Sequence, residues 1–156
     1  MSSTGAEVGH DASPVLVSAC MLGLNTRYDG GNCHRPGLLQ DELAGLHVVP
    51  VCPEQLGGLP TPRDPAEISE GDGADVLKGE ASVFTLKGKD VTDNYLRGAR
   101  EVRRLARLLN IERAYLKEKS PSCGVTTIVR DGRHEPGRGV TAALLADSGV
   151  EISGVK

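Results

Sequence analysis

The run Val48-Val49-Pro50-Val51-Cys52-Pro53-Glu54-Gln55-Leu56-Gly57-Gly58-Leu59-Pro60-Thr61-Pro62-Arg63 changes character at Cys52. Before it, His47 to Val51 is a short apolar run rich in β-branched residues, the pattern of a strand covered on both faces. After it, three prolines and two glycines within eleven residues fix some backbone angles and free others, so no regular element is expected there. A thiol and a carboxylate, Cys52 and Glu54, are thereby expected in a rigid loop at a strand's carboxyl end. In open α/β sheets that edge is where ligands bind.

Working outward, strands and helices alternate. Pro14 to Ala19 reads as the first strand and ends at Cys20; Met21 to Leu24 is a turn into a short helix or loop. Asn25 to Pro36 is a polar, Gly-rich loop too long to be mere connection. Leu38 to Leu46 reads as a short helix, with Leu39, Leu43 and Leu46 three or four apart. Beyond Arg63, Asp64 to Asp75 is an exposed acidic excursion, and Val76 to Leu86, followed by Lys87-Gly88-Lys89-Asp90, is a peripheral β-segment with a tight turn. The strongest helix begins at Val91-Thr92-Asp93, with Thr92 or Asp93 as N-cap, and stops near Asn110. Its apolar stripe is Leu96, Ala99, Val102, Leu105, Ala106 and Leu109, and its arginines form a solvated face. Ile111 to Lys117 is the third strand and runs into Glu118-Lys119-Ser120-Pro121-Ser122-Cys123-Gly124. Thr126 to Arg138 reads as a mobile hairpin or flap around Asp131-Gly132, Val140 to Asp147 as a last helix and Val150 to Ile152 as a final strand. This order predicts an α/β fold, a mostly parallel sheet with flanking helices in the Rossmann-like manner. Residues 14–156 are expected to form a single domain, and 1–13 a disordered tail.

Composition narrows the class. At 156 residues the chain has room for a sizeable core, and with 3% aromatic residues and no Trp that core must be aliphatic. A net charge of −3 argues against a general nucleic-acid or anionic-membrane binder. No apolar run approaches the ~20 residues of a membrane span, and the polar, acidic start lacks the features of a secretory signal; the expected location is the cytoplasm. There the four cysteines are not expected to form structural disulfides. They contain no C-x-x-C pair, so zinc-ribbon spacing is missing. No G-x-G-x-x-G follows the first strand and no Walker A is present, which leaves a dinucleotide or ATP unsupported.

Position says more than spacing. In a parallel sheet, Cys20 and Cys52 each close a strand and Cys123 lies just beyond another, so three distant thiols converge on one edge. A free cysteine is commonly only a small buried apolar side chain, but three of four at strand ends favour a metal site. Cys33, in Gly31-Asn32-Cys33-His34-Arg35 with no strand before it, reads as a free thiol rather than a fourth ligand.

Together, Val17-Ser18-Ala19-Cys20-Met21-Leu22-Gly23, Arg27-Tyr28-Asp29-Gly30, Pro50-Val51-Cys52-Pro53-Glu54 with Gly57-Gly58-Leu59 and Thr61-Pro62-Arg63, and Lys117 with Ser120-Pro121-Ser122-Cys123-Gly124 resemble the 2-thiouracil desulfidase family over roughly residues 14 to 154. The resemblance implies a [4Fe-4S] cluster held by three cysteines, at the positions of Cys20, Cys52 and Cys123. It implies a small-molecule thiopyrimidine as partner: 2-thiouracil, 4-thiouracil or 4-thiouridine monophosphate, desulfurated without redox change to the oxo-pyrimidine and hydrogen sulfide.

Glu54 is then the expected group that activates or relays a proton to water, and Ser122 the group that orients or donates a proton. Ser120, Asp29 and Lys117 share that task or hold the pyrimidine, with Arg27 beside them. Arg27, Arg35 and Arg63 meet a substrate phosphate or pair with loop carboxylates; in the plainer alternative Glu54 is simply tied to Arg63. His34 is a proton donor or a solvated loop residue. Two other classes compete. One is a zinc-binding structural or interaction module using the three cysteines and a fourth ligand such as His34; the other is a sulfur-transfer protein whose thiols carry persulfide.

Overall fold

The computed structural model describes residues 13–156, so the tail expected at 1–13 lies outside the described residues except for Ser13. The first strand, β1 (Pro14–Ser18), is followed by a single 3-10 turn at Ala19–Leu22, and then β2 (His47–Val51). Next come α1 (Pro53–Leu56), β3 (Ala66–Ile68), α2 (Gly73–Leu77) and β4 (Val83–Thr85). The chain continues through α3 (Thr92–Leu108), β5 (Arg113–Lys117), the hairpin β6 (Thr127–Arg130) and β7 (Arg133–Pro136), α4 (Val140–Asp147) and β8 (Glu151–Val155).

Four strands form one sheet in the order β2-β1-β5-β8, every neighbouring pair parallel. Strand β1 is central, and its side chains alternate between two apolar cores. Leu16 faces Val102 and Ala106 of α3 and Leu145 of α4. Val15 and Val17 face Met21, Leu38 and Leu43 on the other side. Helices thus cover one face, and the irregular segment between β1 and β2 covers the other. The chain leaves β1 for β2 on one side and later returns to β5 on the opposite side. This is a topological switch point, where the crossing connections diverge and leave a crevice at the carboxyl ends of the strands.

Several local expectations are corrected. Cys20 does not end the first strand; it sits in the 3-10 turn just beyond it. Leu38 to Leu46 is a series of turns, because Gly37 and Gly45 adopt positive φ and the Leu43 amide reaches back to the Leu38 carbonyl; Leu38 and Leu43 are buried while Leu39 is exposed. Pro53–Leu56 is one helical turn rather than irregular loop, since proline's fixed φ suits a first helical position. Most of Val76 to Leu86 is not strand. Asp72 and Asp75 form a reciprocal capping box that starts α2, and only Val83–Thr85 pairs, antiparallel with Ala66–Ile68 inside the expected excursion. The third strand begins at Arg113 rather than Ile111, and the last is Glu151–Val155 rather than Val150 to Ile152.

Neither Thr92 nor Asp93 caps α3. Asp90 accepts the Thr92 amide (2.9 Å), while the Thr92 hydroxyl accepts the Val83 amide (2.8 Å) and pins β4 to the helix. The buried stripe of α3 is Tyr95, Gly98, Ala99, Val102 and Ala106, and Leu109 is 43% exposed instead. A hairpin forms at the expected place, turning through Asp131 and Gly132 at positive φ. Arg130 ties it to the carbonyls of Ile68 and Gly71 and pairs across the hairpin with Glu135 at 2.7 Å.

Candidate metal centre and active site

Three strand ends deliver the three expected cysteines to one cavity of about 420 Å³, a volume typical of small-molecule sites. After β1, the 3-10 turn presents Cys20 and closes on Gly23, whose φ of 90° is left-handed backbone that glycine adopts without strain. After β2, Cys52 is the extended residue before α1 and Pro53 is its first helical position. After β5, the Ser120 hydroxyl accepts the amides of Ser122 (3.0 Å) and Cys123 (2.9 Å), which folds that loop into a tight turn. Gly139 makes room for it: a Cβ there would run into the Ser122 backbone.

Burial is the main influence on these thiols. It pushes Cys20 up to about 12, helped by neighbouring Cys33, Glu54 and Cys52. Cys123 is pushed up by burial and then by Glu54. Cys52 is raised by burial and Glu54, while the Gln55 amide and Arg63 pull it back. Burial thus favours the uncharged thiol at each position, and a bound cationic centre would favour the thiolate. Among the described residues no three His, Cys, Asp or Glu side chains close around a single-ion position.

Glu54, in the first turn of α1, lines the same cavity. Its carboxylate lies 3.5 Å from the Arg63 guanidinium, with side-chain exposures of 15% and 6%, and accepts from the Tyr95 hydroxyl at 3.4 Å. Burial pushes its carboxyl up and Arg63, then Tyr95, pull it down, leaving it above the ordinary carboxylate value. Arg63 also donates to the Thr61 hydroxyl (3.0 Å) and the Thr26 carbonyl (2.9 Å) and reaches Cys52 Sγ at 3.9 Å. Its buried Nε–H has no partner. The Glu54–Arg63 pairing therefore exists, and it sits at the cavity wall.

The remaining sequence candidates divide. Arg27, Lys117 and Ser120 line the cavity. Asp29 is outside its lining, pairing with Arg27 at 3.5 Å and accepting the Gly31 amide in a turn. Ser122 is buried and also outside the lining; its hydroxyl pairs with that of Thr141 at 3.0 Å. Arg35 is engaged by Glu42 and the Lys156 carbonyl. Tyr95, Ser18, Lys119 and Cys33 line the cavity without having been singled out as site residues. Only Tyr95 carried a signal, one helical turn before Ala99 on the buried stripe of α3.

The sequence profile of a family described as 2-thiouracil desulfurase matches residues 15–155. The chain belongs to the 2-thiouracil desulfurase family.

Proteins similar to this desulfurase-family chain include YbbK, an uncharacterized protein of Bacillus subtilis (strain 168). It is 43% identical over 143 residues, spanning 88% of this chain and 93% of YbbK. Among solved structures, a [4Fe-4S]-dependent thiouracil desulfidase, TudS, is 38% identical with a TM-score of 0.76, covering 91% of this chain and 90% of that one. The α/β fold expected from the sequence is thus the fold of a solved relative as well. Among the described residues no helix is long and apolar enough to cross a membrane.

Proposed function

We propose that this chain is a [4Fe-4S]-dependent desulfidase of thiolated pyrimidines, in which Cys20, Cys52 and Cys123 hold the cluster and Glu54 handles the proton of the attacking water. The observation that carries this reading is the shared cavity, which joins three soft thiol donors from three strand ends to a partly desolvated carboxylate. The donor set fits the cluster: thiols are the ligands iron–sulfur centres take. Arg63 Nη2 lies 3.9 Å from Cys52 Sγ, a cationic donor beside one of these sulfurs. With three protein ligands such a cluster supplies one open iron, a Lewis acid for a thiocarbonyl sulfur.

The chain's own residues account for the rest. The reaction is redox-neutral: the thiocarbonyl and water yield the oxo-pyrimidine and hydrogen sulfide. Water must lose a proton as its oxygen attacks the ring carbon, and Glu54 takes it, its raised carboxyl being better matched to that task than an exposed one. Arg63 and Tyr95 hold Oε2 of that carboxylate, fixing its direction. Lys117 and Arg27 line the wall, and we assign them to the pyrimidine oxygens. Ser120 shapes the Cys123 turn through two amide bonds. Ser122 acts through its bond to Thr141, securing that turn against α4.

The test is iron and acid-labile sulfide per chain after anaerobic reconstitution, with sulfide release from 2-thiouracil, 4-thiouracil and 4-thiouridine monophosphate. About four irons with release from one substrate is expected. Zinc alone, or a protein that never takes up iron, would overturn the reading.

A further inference from the structure

Cys33 plays no part in the proposed reaction, yet it is held against the metal centre. Its amide donates to the carbonyl of Cys20 at 2.9 Å. Standard bond lengths then limit the separation of the two Cα atoms to under about 7 Å, within the range a disulfide can span. The loop that carries Cys33 is braced on both sides. Asn32 donates to the Asn25 side chain and accepts the His34 amide, both at 2.9 Å, and the Arg35 amide reaches the Met21 carbonyl at 2.9 Å. Both cysteines are half-buried and line the cavity. The other thiols are differently placed. Cys52 Sγ is engaged by the Thr26 carbonyl at 3.6 Å, and Cys123 is buried. Among the described residues, Cys20 and Cys33 are the one pair of cysteines joined by a backbone hydrogen bond.

We propose that Cys20 and Cys33 form a reversible disulfide when no cluster is bound, making cluster uptake conditional on thiol reduction. The gating half of this proposal rests on Cys20 being a cluster ligand; the disulfide itself does not. With glutathione disulfide as oxidant, one cysteine thiolate attacks it, forming a mixed disulfide and releasing one glutathione. The second cysteine displaces the other glutathione from that mixed disulfide. Two S–H bonds are lost, one S–S bond forms, and the two electrons and two protons leave on two molecules of glutathione. The bond withholds Cys20 from iron and also shields it from irreversible oxidation to sulfinic acid. Excess reduced thiol reverses the exchange and reopens the site.

The experiment uses the full chain, stripped of metal anaerobically and incubated with glutathione disulfide. Its free thiols are alkylated and its peptides mapped by mass spectrometry, while a parallel sample is offered iron and sulfide with and without dithiothreitol. A dominant Cys20–Cys33 cross-link is expected, with cluster absorbance lost after oxidation and restored by dithiothreitol. Cys33→Ser should load iron after the same oxidation without reductant. A dominant cross-link between other cysteines, or Cys33 left fully alkylatable, overturns the disulfide. An oxidised, cross-linked protein that still loads iron overturns the gate. Reduced protein that takes up no iron overturns the cluster reading and the gate with it, whereas the peptide map still reads out the disulfide.

Discussion

Gly98 of α3 lies directly against the carbonyl oxygen of Pro53 in α1, with no room for a Cβ between them. One turn away Gly57 packs against the Asn94 backbone in the same manner, and the Asn94 side chain donates to the Gly57 carbonyl at 2.9 Å. The short helix between Cys52 and Gly57 is thus positioned by close backbone contact with the long one. Gly98→Ala adds roughly 1 kcal/mol of helix propensity, but overlap with a backbone oxygen costs about 1–3 kcal/mol and should win. The expected outcome is a less stable protein whose iron content falls because Cys52 and Glu54 are displaced together. Urea denaturation alongside an iron assay checks this, and a variant with unchanged stability and iron would refute it.

If Cys20, Cys52 and Cys123 hold the cluster as proposed, replacing any one of them removes a soft donor. Cys52→Ser and Cys123→Ser should each lose the visible absorbance of the reconstituted cluster and all sulfide release, and Cys20→Ser should do the same even though Cys33 is adjacent. Retention of about four irons by any of the three would remove that residue from the ligand set.

Glu54→Gln keeps the shape of the side chain and its contact with Tyr95 but cannot take a proton. Turnover should fall by about 10²–10⁴-fold with iron content unchanged. Steady-state sulfide release normalised to iron measures it. Wild-type turnover would return Glu54 to a purely structural role.

Arg63 joins the Thr26 loop, the Thr61 loop, Glu54 and Cys52 through one guanidinium. Arg63→Met strands a mostly buried carboxylate and should cost about 3 kcal/mol. The double variant with Glu54→Gln should recover part of that loss, because no charge is left unpaired. Additive losses in a denaturant double-mutant cycle would show that the pair is not coupled.

Acid sensitivity is expected from Glu118. Burial pushes its carboxyl up, but bonds from the Thr126 amide (3.0 Å) and hydroxyl (2.8 Å) and the Val125 amide (2.9 Å) outweigh it and hold the group below its ordinary 4.5. A carboxyl lowered in the folded state contributes stability above its unfolded value and loses it as pH falls through the folded one. Glu118→Gln should therefore cost about 1–3 kcal/mol at neutral pH, and the gap from wild type should narrow steadily below pH 4.5. Denaturation at neutral pH and at about pH 3.5 tests the sign; a gap that widens in acid contradicts it.

Much of this was legible in the sequence because it depends on local pattern. The apolar runs at Val15–Val17 and Val48–Val51 and the stripe of α3 require strands and a helix wherever they are placed. Their alternation implies a parallel sheet whose carboxyl ends share an edge. That is why Cys20, Cys52, Cys123 and Glu54 could be placed together before any contact was known. Leu38 to Leu46 and Val76 to Leu86 were misread because their leucines and valines satisfy distant partners, and the glycines at 37 and 45 and the Asp72 cap override the apparent period.

By itself, then, the sequence determined the layered α/β order, the sheet edge on which the chemistry sits and the thiols that reach it, since strand length, proline placement and apolar period are short-range properties. Only the tertiary structure decided which side chains face one another there. The Tyr95–Glu54–Arg63 contacts, the turning of Ser122 toward Thr141 and the seating of Cys33 on Cys20 each join segments from 9 to 41 residues apart. No local pattern carries such information, because a side chain's direction at a loop is set by the packing of the elements around it.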